Sequence, residues 1–126
     1  MEIKFANELV SFLAKENAKQ IETYNITEKT NLAKYLVLAT VSDELTAREL
    51  VVKVKENFEN KLCFVEGEFP GDWIVIDFGD VVVELFKEET REKYNLEKLW
   101  GSSHNKVEET KTTEDEVEVE EIKKAE

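Results

Sequence analysis

The sequence predicts an α+β fold in a single domain, a β-sheet with helices packed on it, and three observations carry that expectation. Glu2 to Lys15 sets Phe5, Leu9, Phe12 and Leu13 at i, i+4, i+7 and i+8, one apolar stripe of an amphipathic helix. Tyr35 to Val41 is an almost unbroken apolar run of strand length, followed by a helical repeat and a further strand. Trp73 to Asp77 and Val81 to Phe86 read as two strands of a hairpin. A chain of 126 residues suits one core, since compact domains usually run about 100 to 150 residues.

The first helix needs a sheet to cover. Gln20 to Ile26 is a weaker strand, and Tyr35 to Val41 is expected to lie centrally, with both faces buried. Ser42 or Asp43 can cap the next helix, where Ala47, Leu50, Val51, Val54 and Phe58 recur at helical spacing up to the Glu59-Asn60 break. Leu62 to Val65 then reads as the strand that completes a crossover. Glu66 to Asp72, with two glycines and the only proline, is a loop into the hairpin. Glu88 to Trp100 contains helix formers and a Leu96, Leu99, Trp100 cluster expected to fold back on the sheet, closing a domain of residues 1–101. Residues 102–126 contain no aromatic side chain and are dominated by Glu, Lys and Thr. By composition they are expected to form a disordered acidic tail, because too little apolar area is available to offset the entropy of ordering.

The charge balance narrows the partners. Seventeen basic residues against 29 acidic ones give a net charge of -12, which argues against a broad phosphate-binding face and for a basic partner. Cys63, the single cysteine, has no internal partner for a disulfide, as suits a reducing compartment. Neither a leader nor a membrane-spanning stretch is read from the sequence, so the expected location is the cytoplasm.

The hairpin carries the functional interest. With either a two-residue loop at Phe78-Gly79 or a four-residue loop from Asp77 to Asp80, Ile76 is expected to face Val81 and Ile74 to face Val83. Alternation then places Ile74, Ile76, Val81, Val83 and Leu85 on one face. The other face takes Trp73, Val75, Asp77, Asp80, Val82, Glu84 and Phe86, with Asp77 opposite Asp80, a like-charge pairing that costs stability. This mix of aromatics and carboxylates fits a basic partner. It also fits a solvated face whose Trp73 and Phe86 are covered by the last helix.

Other constellations are thinner. Asp77-Phe78-Gly79 spells the metal-binding tripeptide of protein kinases without a kinase's other parts, and Gly101-Ser102-Ser103 lies at the start of the tail rather than between a strand and a helix. His104, the only histidine, lacks a rigid frame, and Cys63 lacks a histidine to activate it, so it reads as a small buried residue. Glu66 and Glu68 with Asp77 and Asp80 have no defined metal-ligand spacing. No catalytic, cofactor or metal site is therefore assigned.

Val65-Glu66-Gly67-Glu68, then Asp72 to Val83, then Leu85-Phe86 are similar to the central signature of the ribosomal silencing factors, the Iojap-like family. Arg91 to Trp100 resembles that family's closing signature, and Tyr35 to Thr40 its second strand, so the resemblance spans nearly all of Phe5 to Gly101. Glu84 stands where the family usually has a histidine, Val41 where it has a glycine, and Lys34 and Asn25 where it has aspartates. The resemblance implies a mixed sheet arranged like the nucleotidyltransferase fold without that superfamily's catalytic carboxylates. It implies a cytoplasmic repressor of translation that binds the large ribosomal subunit through large-subunit ribosomal protein fourteen. Bound there, it would sterically block joining of the small subunit when nutrients are scarce.

On that reading Trp73, Asp77, Phe78, Asp80, Glu84, Tyr94 and Glu97 contact the ribosomal protein. No cofactor, membrane or sequence-specific nucleic-acid contact is expected, and the free protein is expected to be capable of forming a homodimer. The competing classes are a magnesium-dependent nucleotidyltransferase-like enzyme using Asp77, Asp80 and Glu84, and a non-ribosomal protein adaptor using the same face.

Overall fold

The computed structural model describes residues 2–95. They form eight elements: α1 (Glu2–Lys15), β1 (Lys19–Asn25), β2 (Tyr35–Val41), α2 (Glu44–Asn57), β3 (Phe64–Glu66), β4 (Trp73–Asp77), β5 (Val81–Lys87) and α3 (Glu88–Tyr94). The expected closing cluster Leu96, Leu99, Trp100, together with Glu97, His104 and the acidic tail, lies outside the described residues.

The five strands make one mixed sheet in the order β1-β2-β5-β4-β3. β1 pairs antiparallel with β2, β2 parallel with β5, β5 antiparallel with β4 and β4 antiparallel with β3. β2 is an interior strand between β1 and the middle strand β5, and Leu36, Val37, Leu38, Ala39, Thr40 and Val41 are all buried, as its continuous apolar run requires. The strand–helix–strand crossover from β2 through α2 does not end beside β2. It lands at the far edge as β3, and the chain returns through β4 to insert β5 next to β2.

α1 and α2 cover the same sheet face. Phe5, Ala6, Leu9, Val10 and Leu13 of α1 and Ala47, Leu50, Val51 and Val54 of α2 share a core with Val37, Ala39, Val41, Ile74, Ile76, Val81, Val83 and Leu85. Asp43, rather than Ser42, caps α2: its side chain accepts from the Thr46 N–H at 2.8 Å. Cys63 is half-buried and packs against this core.

The hairpin register differs from the expected one. Ile76 faces Val83 and Ile74 faces Leu85, so the pairing is offset by two residues and each side chain keeps its face. Asp77 lies opposite Val82, not Asp80. Two local bonds lengthen the turn: Asp77 Oδ1 accepts from the Gly79 N–H at 2.8 Å, and Phe78 N–H donates to the Val81 carbonyl at 2.9 Å. Gly79 sits at φ +95°, a conformation glycine adopts without steric cost. Asp80 falls within the turn, where its carbonyl accepts from the Lys34 and Tyr35 amides. The expected like-charge pairing is therefore not formed.

Candidate functional site: the second face of the sheet

Strand register lays out the face opposite α1 and α2 in three rows. Trp73, Phe86 and Thr40 form the first; Glu66, Val75, Glu84, Leu38 and Glu22 the second; Phe64, Asp77, Val82, Leu36 and Tyr24 the third. α3 lies over the first row. Phe86 is fully buried, with Trp73 at 5.1 Å between ring centroids, and Tyr94 of α3 lies 4.9 Å from Trp73. The last helix does touch Trp73 and lie over Phe86, as the more ordinary reading of the hairpin held.

Arg91 fixes α3 in that place. Its guanidinium is almost wholly buried and donates to the Gln20 carbonyl at 2.7 Å and Thr40 Oγ1 at 2.9 Å, with Glu22 Oε1 3.5 Å away. Gln20 has φ +51° beside a break in the β1 register, which turns its carbonyl to this guanidinium, while its Oε1 accepts from Thr40 Oγ1 at 2.9 Å. Tyr24 Oη donates to Glu22 Oε1 at 2.6 Å, and Thr90 Oγ1 donates to Asp72 Oδ2 at 3.3 Å. The sequence reading passed over this cluster. A signal existed: only two of the 17 basic residues are arginine, and each serves as a multi-donor fork. The other, Arg48, donates to the Glu68 and Pro70 carbonyls and lies 4.7 Å from the centroid of the Phe69 ring.

Among the described residues, the third row is open only at its β3 and β4 end, since Leu36 and Tyr24 at the other end are buried with Ile26 and Ala33. Phe64 is 66% exposed, Asp77 and Asp80 are exposed, and Val75 and Val82 are half-buried. Of the seven residues singled out from the sequence, Trp73, Asp77 and Tyr94 lie on this side of the sheet, with Asp80 at the turn beside it. Two differ from the expectation, Phe78 in its face and Glu84 in its burial. Phe78 packs toward the helices, 4.9 Å from Phe5, because the longer turn swings it to the first core. Glu84 is on the expected face but only 1% exposed, and its Oε1 accepts from the Trp73 indole Nε1–H at 3.0 Å. Glu97 lies outside the described residues.

Asp77 and Asp80 at the turn are thus separated in environment from the buried Glu84. Among the described residues, no group of three or more His, Cys, Asp or Glu side chains is placed to hold a metal ion. No helix of the described residues is long and apolar enough to cross a membrane.

The family model described as "Ribosomal silencing factor during starvation" matches residues 2–126. The chain belongs to the ribosomal silencing factor family. It is 30% identical to the ribosomal silencing factor of Zymomonas mobilis over 89 residues, 68% of this chain and 67% of that one. It is also 32% identical over 98 residues to the mouse protein named "Mitochondrial assembly of ribosomal large subunit protein 1", covering 73% of this chain and 43% of that longer protein. Among solved structures, a crystal structure of a Chromobacterium violaceum protein is similar with TM-score 0.70 and 29% identity, over 79% of this chain and 87% of that one. The family description names a regulator of the ribosome's activity rather than a catalyst. The stretch from Asp72 to Phe86, read above as similar to the family's central signature, builds the rows just described, and Arg91 ties α3 to them.

Proposed function

We propose that this chain represses translation by binding the large ribosomal subunit through large-subunit ribosomal protein fourteen and blocking the small subunit from joining when nutrients are limited. Blocking is steric and needs no chemistry of the chain's own. The observation that carries this reading is the half-open second face, with the Trp73–Tyr94 ring pair in its first row and exposed Phe64 beside Asp77 in its third, next to Asp80 at the turn. Partly exposed aromatics with carboxylates on the same face suit a basic protein patch, and a net charge of -12 disfavours bare RNA as the landing surface.

Sedimentation tests it. The purified chain is expected to travel with isolated large subunits, poorly with intact ribosomes, and to reduce joining when added before the small subunit. A chain that stays at the top of the gradient with large subunits in excess is not acting this way. Running the same gradient with a chain ending at Ser102 tests the division into a domain of residues 1–101 and a dispensable tail: binding and melting temperature should stay close to those of the full chain.

A further inference from the structure

Trp73 is held from three directions. Phe86 faces it across the ladder, Tyr94 contacts it from α3, and its indole N–H reaches Glu84. Glu84 is not the residue opposite Trp73 in the ladder; Phe86 is, and Glu84 pairs with Val75 one row away. The indole therefore extends diagonally across the face to meet a carboxyl group flanked in its own row by Leu38 and Val75. Burying a carboxyl between aliphatic neighbours in the middle of a sheet is costly unless the group is hydrogen-bonded, and a Val or Leu there would be cheaper for packing alone. The bond in return selects one orientation of a half-buried aromatic ring that would otherwise have several.

We infer that Glu84 is a positioning residue for docking: buried under the sheet surface, it presets the Trp73 ring that the partner meets. This rests on the docking reading above. A ring fixed before encounter loses less freedom on binding than one that must be ordered by the partner. The same bond occupies the indole N–H, so Trp73 offers the partner an apolar or cation-accepting surface and not a hydrogen-bond donor.

The test uses the full chain carrying Trp100→Phe, which leaves Trp73 as the one source of an indole signal. Two quantities are read: the indole N–H proton resonance with its exchange against water, and affinity for isolated large subunits. Glu84→Gln retains an accepting oxygen and should keep the resonance and bind within about threefold of the parent. Glu84→Leu should shift the resonance, speed exchange and weaken binding about tenfold, as expected for losing one buried hydrogen bond. Trp73→Phe keeps a ring without the N–H and should lose a similar factor, and in that background the Gln and Leu forms should bind alike. An unmoved resonance in Glu84→Leu overturns the inference. So does Trp73→Phe binding like the parent, which keeps the test decisive if Glu84→Leu fails to fold, and so does a Gln-to-Leu difference that persists without the indole. In a parent that leaves large subunits unbound, the docking reading itself fails, and the resonance alone then decides whether Glu84 orients Trp73.

Discussion

Beneath α1 and α2 the sheet presents Val37, Ala39, Val41, Ile74, Ile76, Val81, Val83 and Leu85, all buried, and the helices answer with Phe, Leu, Val and Ala. On the opposite face the buried set is mixed: Tyr24, Leu36, Leu38 and Phe86 stand beside Thr40, Glu84 and Arg91. The first face is held by non-directional burial, which tolerates a shift of register by two residues because every side chain still points inward. The second is held by directed bonds that work only in one geometry: the Arg91 fork, the Glu22–Tyr24 pair and the Trp73–Glu84 bond. Apolar packing there covers Phe86 and Leu38 and, at the β1 end, Leu36 and Tyr24 with Ile26 and Ala33, which leaves Phe64 and Asp77 at the far edge open. Stability is thus concentrated on one side of the sheet and shape on the other.

The hardest way to break the comparison is from the first face. Val83 is fully buried between Val37 and Ile76 in the ladder, so Val83→Asp places a charge where no partner exists and should unfold the domain, a loss of several kcal/mol. Circular dichroism at room temperature reads this directly. A folded Val83→Asp protein with a parent-like melting temperature would show that this face is not the core.

Arg91→Met keeps an unbranched stem and removes the fork. It should lower stability by about 2 to 3 kcal/mol, less than the full cost of stripping a buried pair because Glu22 is partly solvated. Arg91→Lys should recover only part of this, since one ammonium cannot reproduce a planar guanidinium reaching the Gln20 carbonyl and Thr40 together. Thermal melts of the three proteins decide it; equal melting temperatures for Met and Arg would reduce the cluster to incidental contact.

Trp73→Ala acts on the partner more than on the fold. Aromatic anchors near an interface centre cost about 2 kcal/mol or more on truncation, which is roughly thirtyfold in affinity for large subunits. Asp77→Asn and Asp80→Asn should act through association rate and lose their effect as salt rises, and Asp77→Asn keeps an oxygen for the Gly79 amide so that the turn survives. If all three bind like the parent while remaining folded, docking lies off the Trp73 and Asp77 side of the sheet.

What the sequence could reveal follows the same division. Apolar periodicity is dense on the first face, so α1, β2 and the facing of β4 and β5 were legible from spacing alone. The hairpin register was not, because one carboxylate bonding to one amide decided the turn length. The landing place of β3 was not legible either, since a crossover that skips two strands is fixed by the whole sheet and not by any local run. On the second face Trp73, Asp77 and Asp80 could be singled out as residue types. The buried state of Glu84 and the role of Arg91 depend on partners 11 and 71 residues away in sequence, which no local pattern records.

The smallest effect sits at the start of α2, outside both faces, and is a pH dependence. The Thr46 backbone N–H bonded to the Asp43 carboxylate, with the Thr46 side chain second, holds the Asp43 pKa below its ordinary value of 3.8. A depressed folded-state pKa means that the cap contributes fully above the unfolded-state pKa and loses its contribution as pH falls through the lower, folded value. Asp43→Asn caps with an amide oxygen that does not titrate in this range. The melting-temperature advantage of the parent over Asp43→Asn should therefore be flat above about pH 5 and shrink as the solution is made more acid. Asp43→Ala, with no acceptor, should melt below Asp43→Asn across the whole range. An advantage that grows on acidification would mean that the Asp43 pKa is raised in the folded protein, contrary to the bond at 2.8 Å.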